Sequence, residues 1–206
     1  MAKTNQTINN FYTKAVKKDF SRDVLFRVLS ISPDSALGLT AGQASVNFIS
    51  EDDLVYARAA KVPARSITNQ EAKYMGLKFN LPGVVDYPES SNYSIEFFCD
   101  MNSSLRSKFE QWSRVTFDDV NSTGNFANDG TIQLAQLNSK LELVQQYKLV
   151  GVTIRNVGEI AYTMSEGTGA VQAFPVTFAY HFYVLEDTDT NGNGVSLPPK
   201  TGTPVI

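Results

Sequence analysis

Hydrophobic and polar positions alternate along several stretches of this chain. In YSIEFFC, residues 93–99, Tyr93, Ile95, Phe97 and Cys99 share one face. In VQAFPVTFAYHFYV, residues 171–184, Phe174, Val176, Phe178, Tyr180, Phe182 and Val184 do the same. A period of two over that length predicts β-strands. IQLAQL (132–137) and LVQQYKLVGVTI (143–154) predict a hairpin turning through NSKLE. RDVLFRVLSIS, DLVYARAA and MGLKFNL are further strand candidates. Pro175 cannot donate to a ladder, so it predicts an edge, a strand start or a bulge.

The period changes in NSSLRSKFEQWSRVTFDD. Leu105, Phe109, Trp112 and Val115 fall at helical spacing and form one apolar stripe. Ser103 or Ser104 can cap the start of this helix. A second, weaker helix is predicted in NNFYTKAVKKDF, with Asn9 as cap and Phe11 and Ala15 four apart. Many strands with one strong helix predict an antiparallel β-sandwich or barrel, with the helix packed against one side. The chain after Leu185 is rich in Thr, Gly, Asn and Pro and has no such pattern. It predicts one domain over residues 1–185, with an N-terminal arm to about residue 21, and a flexible extension over 186–206. No internal repeat or domain linker interrupts the pattern.

Composition changes the picture in three ways. The chain has 206 residues, 42% hydrophobic and 11% aromatic, which is enough for a substantial core. Its formal net charge is −3, so no overall positive field points to nucleic acid. That charge is uneven. Lys3, Lys14, Lys17, Lys18, Arg22 and Arg27 against Asp19 and Asp23 put residues 1–30 at +4 and the remainder at −7. A basic arm on an acidic body suits self-association, one copy's arm meeting another's body. MAKTNQTINN has no apolar core of a signal peptide. FPVTFAYHFYVL is too short to span a bilayer and is broken by His181. Cytosolic synthesis is the expectation.

The candidate chemistry is sparse. DTDTNGNG places Asp187, Asp189 and Asn191 at positions one, three and five of a calcium loop, with Gly192 at the turn. The bidentate glutamate at position twelve is missing, because Pro198 stands there. The same residue types build ordinary turns. His181 is the only histidine and lies opposite the aromatic stripe, sharing a face with Thr177, Ala179 and Tyr183. Cys99, the only cysteine, alternates inward and reads as an inert buried thiol. With one cysteine there is no intrachain disulfide. Glu51, Asp52 and Asp53, and Asp118 with Asp119, are adjacent acids that point to different sides of an element, a poor acid–base geometry. There is no GxSxG elbow and no Walker loop. The expectation is a protein that is not an enzyme and carries no cofactor.

SLRSKFEQWSRV, with Arg106, Phe109 and Trp112, resembles the helix of the tail tube proteins of contractile-tailed bacteriophages. The order of elements from QLNSKLELVQQYKLVGVTI through Asn156-Val157-Gly158-Glu159-Ile160 to the final aromatic strand is similar too. So is the opening NNFYTKAVKKDFSRDVLFRVLSI. The resemblance covers most of residues 8–185. SPDSALGLTAGQASVNFISEDD and the chain from Glu186 onward depart from it.

The resemblance implies a tail-tube or Hcp-like β fold that forms hexameric rings. These stack into a hollow tube inside a contractile sheath, and the genome passes through the lumen without specific binding. It implies sheath, baseplate and terminator proteins as partners, and a place in the virion tail. Inter-subunit contacts are expected at Lys14, Lys17, Lys18 and Arg22 of the arm. A second set is expected on the excursion carrying Glu51, Asp52, Asp53, Arg58, Lys61 and Arg65. A tube subunit of a related injection machine and a baseplate tube initiator are the neighbouring readings. A calcium-dependent β-sandwich binding module using Asp187, Asp189 and Asn191 is the reading from a different class.

Overall fold

The computed structural model describes residues 8, 12–13, 21–39, 48–125, 129–162, 169–188 and 194–196. Strand β1 spans Phe26–Ser32, followed by a one-turn 3-10 helix at Ser35–Leu37 and a short helix α1 at Glu51–Leu54. Next come β2 (Ala57–Ala59), β3 (Ser66–Tyr74), β4 (Leu77–Asp86) and β5 (Tyr93–Phe98). Helix α2 (Ser104–Thr116) leads into a small hairpin of β6 (Phe117–Asp118) and β7 (Thr123–Gly124). The chain then runs through β8 (Gly130–Leu137), β9 (Leu143–Val157), β10 (Ala173–Ala179), β11 (Phe182–Thr188) and β12 (Gly194–Ser196).

One long strand joins the two halves of an antiparallel, barrel-like sheet. The first part of β9 pairs with β8 on one edge and β11 on the other. Its last part pairs with β10. The ladder runs β1-β8-β9-β10-β5-β2, with β11 and β12 branching from β9. The inward faces bring Val28, Ile31, Ile132 and Leu149 against Tyr93, Ile95, Phe97, Phe174, Val176 and Phe178. Leu105, Phe109 and Trp112 of α2 complete the core. The helix stripe, the strand YSIEFF and the NSKLE hairpin stand where periodicity places them. In the hairpin turn, Asn138 Oδ1 accepts from the Lys140 and Glu142 N–H groups, each at 2.9 Å.

Four sequence expectations are corrected. First, DLVYARAA is not one strand. Ser50 and Asp53 form a reciprocal capping box, which turns Glu51–Leu54 into a helical turn before β2. Second, neither Ser103 nor Ser104 caps α2 through its side chain. Ser103 sits at φ 51° and makes no capping bond. The carboxylate of Asp100 accepts instead, from Ser104 N at 2.8 Å and Leu105 N at 3.4 Å. A negative charge also complements the helix N-terminus.

Third, the long aromatic strand changes phase. Phe174, Val176, Phe178 and Tyr180 are buried, yet Phe182 is exposed and Tyr183 packs inward. The cause lies on another strand. Gly151 of β9 has φ 72°, and the bend lets His181 lie over it, with His181 N donating to Val150 O at 3.0 Å. Tyr180 N meanwhile donates to Ser90 O at 2.8 Å, so two consecutive residues leave the alternation. Fourth, the chain beyond Leu185 is not patternless. β11 continues to Thr188 and pairs antiparallel with β12, Glu186 opposite Ser196 and Thr188 opposite Gly194. DTDTNGNG therefore connects two paired strands, with Asp187 opposite Val195. Asp189 and Asn191 lie outside the described residues.

Asp100 and Asp53 make the fold acid-sensitive. Burial alone raises each pKa, but hydrogen bonds outweigh it. They come from Ser104 and Leu105 at Asp100, and from Lys108 and Ser50 at Asp53. Both carboxyls end below their ordinary value. A depressed carboxyl contributes stability that is fully present above its unfolded pKa and is lost as pH falls through the folded one. Stability should therefore hold at neutral pH and drop below about pH 4. Asp100→Ala should cost about 1 kcal/mol at pH 7 and less at pH 3, read by urea unfolding at both values.

Candidate interaction surface

Among the described residues, the long hairpin of β3 and β4 stands apart from the main sheet. Among those residues the two strands pair only with each other, from Ser66 opposite Asp86 to Tyr74 opposite Leu77. Met75 at φ 48° and Gly76 at φ 79° make the two-residue turn, the left-handed pair that fits strand twist. All its residues are exposed except Ala72, which is intermediate. At nine and ten residues, the strands carry the tip roughly 30 Å from its root.

The ribbon is amphipathic. Register places Leu77 opposite Tyr74, Phe79 opposite Ala72 and Leu81 opposite Gln70, so these share one face. Lys78 opposite Lys73 and Asn80 opposite Glu71 share the other, where Lys78 pairs with Glu71. Tyr74 is 69% exposed, Met75 84%, Leu77 62% and Phe79 47%. A two-stranded ribbon is marginal alone in water, and an uncovered apolar face this long marks an interaction site.

A tyrosine cluster holds the root. Tyr93 donates its hydroxyl to Lys61 O, fixing the approach to β3. Tyr87, just past β4, meets Tyr180 edge-on at 6.3 Å and Tyr183 at 5.5 Å. Burial pushes the Tyr93 hydroxyl up and the Tyr180 hydroxyl up to about 12, so both stay protonated near neutrality. The Tyr180 hydroxyl is buried and finds no hydrogen-bond partner among the described residues.

The structure separates the contact residues expected from sequence. Glu51 and Asp52 are exposed on α1, while Asp53 is turned into its own chain against Lys108. Arg58 pairs with Glu96 at 3.2 Å and lies over the Phe98 ring. Lys61 and Arg65 belong to the exposed segment that leads into the hairpin, and Arg22 lies in a cleft beside β1. Lys14, Lys17 and Lys18 lie outside the described residues, as do Asn9, Phe11 and Ala15. Periodicity marks MGLKFNL as a strand but not its partner SITNQEAKY, and so does not disclose the hairpin. The Tyr-Met-Gly-Leu turn between two alternating runs was the available signal.

Other chemistry is thin. Arg106, the basic residue of the helix motif, donates to Gly158 O and to Glu110, and lies 5.6 Å over the Phe174 ring. Cys99 is half-buried, and burial raises its pKa, which opposes thiolate chemistry. His181 is exposed on the bend at Gly151. Among the described residues, no three His, Cys, Asp or Glu side chains are grouped to hold a metal ion. None of the described helices is long and apolar enough to cross a membrane.

No family model and no curated protein matches the sequence. Solved structures do match in fold. The tube-terminating cap of the anti-feeding prophage is 12% identical, and the alignment covers 91% of this chain and 100% of that one, with a TM-score of 0.54. The sheath/tube terminator of PVC, an extracellular contractile injection system in the extended state, is also 12% identical. It aligns over 82% of this chain and 98% of that one, with a TM-score of 0.51. The chain thus shares the mainly antiparallel β fold of terminator proteins from contractile injection machines.

Proposed function

We propose that this chain is a structural tube subunit of a contractile tail. In this reading, six copies close a ring and rings stack into the inner tube of a contractile phage tail. The tube works inside a sheath, between a baseplate and a terminator, as the conduit for genome ejection. The observation that carries the reading is the amphipathic β3–β4 hairpin, a preformed arm with an apolar face that the described residues leave uncovered. The fold likeness to tube terminators supports the class of machine. The sequence resemblance to phage tail tube proteins supports the phage setting. Net charge of −3 suits a conduit, because each added Lys or Arg contact to phosphate would slow passing DNA.

A second reading is favoured by the same comparisons: a terminator that caps the end of a tube, in a phage or a related injection machine. The two differ in stacking. A tube subunit builds open filaments by repeating a head-to-tail contact, whereas a cap stops at a ring.

Changing both Leu77 and Phe79 to glutamate tests the surface. Both positions are exposed, so the body should fold unchanged by circular dichroism. Sedimentation of the parent at high concentration should show species far larger than the 22.7 kDa chain. The double variant should sediment as a monomer, a loss of association of at least tenfold. Equal association of parent and variant would remove the hairpin from the contact.

A further inference from the structure

The two ends of the β3–β4 arm are held unequally. At the exit, Ser90 N donates to Tyr87 O at 2.9 Å, Asn92 N to Glu89 O at 3.1 Å and Tyr180 N to Ser90 O at 2.8 Å. The Tyr87 ring also meets Tyr180 and Tyr183 edge-on. That end is a hydrogen-bonded turn running straight into β5. At the entry, residues 60–65 belong to no strand. Among the described residues, the one hydrogen bond that reaches them comes from the Tyr93 hydroxyl to Lys61 O. Pro63 is buried but has no N–H to give.

Tyr180 sits against that bond. Its ring lies 5.8 Å from the Tyr93 ring at 88°. The residue is 3% exposed, and its hydroxyl finds no partner among the described residues. A buried hydroxyl left unpaired costs free energy that contact with water returns. The closed root therefore gains one hydrogen bond, at Tyr93, and carries one unpaired group, at Tyr180. The two effects oppose each other within one pair of touching rings. An arm whose entry rests on so close a balance has two accessible positions, while its exit turn stays bonded.

We propose that Tyr93 and Tyr180 form a latch for the β3–β4 arm. The Tyr93–Lys61 bond closes it, and the Tyr180 hydroxyl, wetted when the root opens, favours release. The arm then swings on its exit turn at residues 87–92. The body keeps its fold, and one chain presents the arm in two directions. The latch belongs to the single chain, so its failure leaves the tube reading untouched.

Removing either hydroxyl tests the latch, because both rings remain. Spin labels are attached at Leu77→Cys on the tip and at Gln111→Cys on the exposed side of α2, in a Cys99→Ala background. Pulsed electron paramagnetic resonance reads the tip-to-helix distance at a dilution where the chain sediments as a monomer. Two distances are expected. Tyr93→Phe breaks the latch and should raise the second population about fivefold, the worth of one net hydrogen bond. Tyr180→Phe removes the unpaired group and should lower it by a similar factor. Opposite signs separate a latch from packing, which both substitutions would loosen alike. A single distance in every chain that folds overturns the proposal, as does a shift of the same sign in both variants. Should Tyr93→Phe fail to fold, Tyr180→Phe decides alone, and a second population that it does not reduce overturns the latch.

Discussion

Replacing Phe109 with alanine lowers the unfolding free energy by about 3–5 kcal/mol, the cost of truncating a large core aromatic. The size follows from where the ring sits. Phe109 is fully buried and meets Phe97 at 5.1 Å, Phe178 at 6.1 Å and Phe174 at 6.4 Å between centroids. It is thus the point where α2 joins β5 and β10. Neighbouring rings cannot collapse into the gap without leaving the pairing that holds their strands, so the cavity stays open. In denaturant titration the midpoint should fall while the slope holds, because the surface exposed on unfolding is nearly the same. Val120→Ala serves as control, since Val120 is 90% exposed and should shift stability by less than about 0.5 kcal/mol. A Phe109→Ala loss of less than about 1 kcal/mol would mean that α2 is not part of the core.

Gly151→Val should destabilise by roughly 2–6 kcal/mol through two separable causes. A β-branched residue at φ 72° is strained by about 1–3 kcal/mol. A Cβ there would also lie 2.1 Å from His181 Cδ2, an overlap that overpacking data put at about 1–3 kcal/mol. The parts can be resolved by a double-mutant cycle. In a His181→Ala background the ring is gone and only backbone strain remains. Gly151→Val should then cost about 1–3 kcal/mol less than in the parent. Equal costs in both backgrounds would show that His181 does not lie over the bend.

That bend also marks the limit of what the sequence discloses. Periodicity identifies the strand Tyr93–Phe98, the α2 stripe and the β8–β9 hairpin, because each is set by neighbours close in the chain. The phase slip at Tyr180 and His181 is set by Gly151, thirty residues earlier and on the facing strand, so alternation alone carries Phe182 to the wrong face. Asp100 displaces the serines as the helix cap because Ser103 takes a left-handed conformation, which composition does not reveal. Ser50 and Asp53 carry a capping signal at the start of a run that otherwise reads as strand.

The interaction surface was legible only in part. Of the charged excursion at residues 51–65, two charges, Asp53 and Arg58, are engaged within the chain. The hairpin that follows it is legible in one strand only. Its apolar side chains are exposed among the described residues, so a search for a core has no place for them. DTDTNGNG resembles a site in sequence because oxygen-rich residues alternate, and its described ends, Asp187 and Gly194, lie in the paired strands β11 and β12.

Electron microscopy of the purified protein at high concentration, with a calcium chelator present, tests the central claim most directly. Hollow tubes built from stacked six-fold rings are the expected result, and the Leu77, Phe79 double variant should abolish them. A parent that stays monomeric at every concentration, both alone and when seeded with baseplates, would contradict the claim that this chain is a tube subunit.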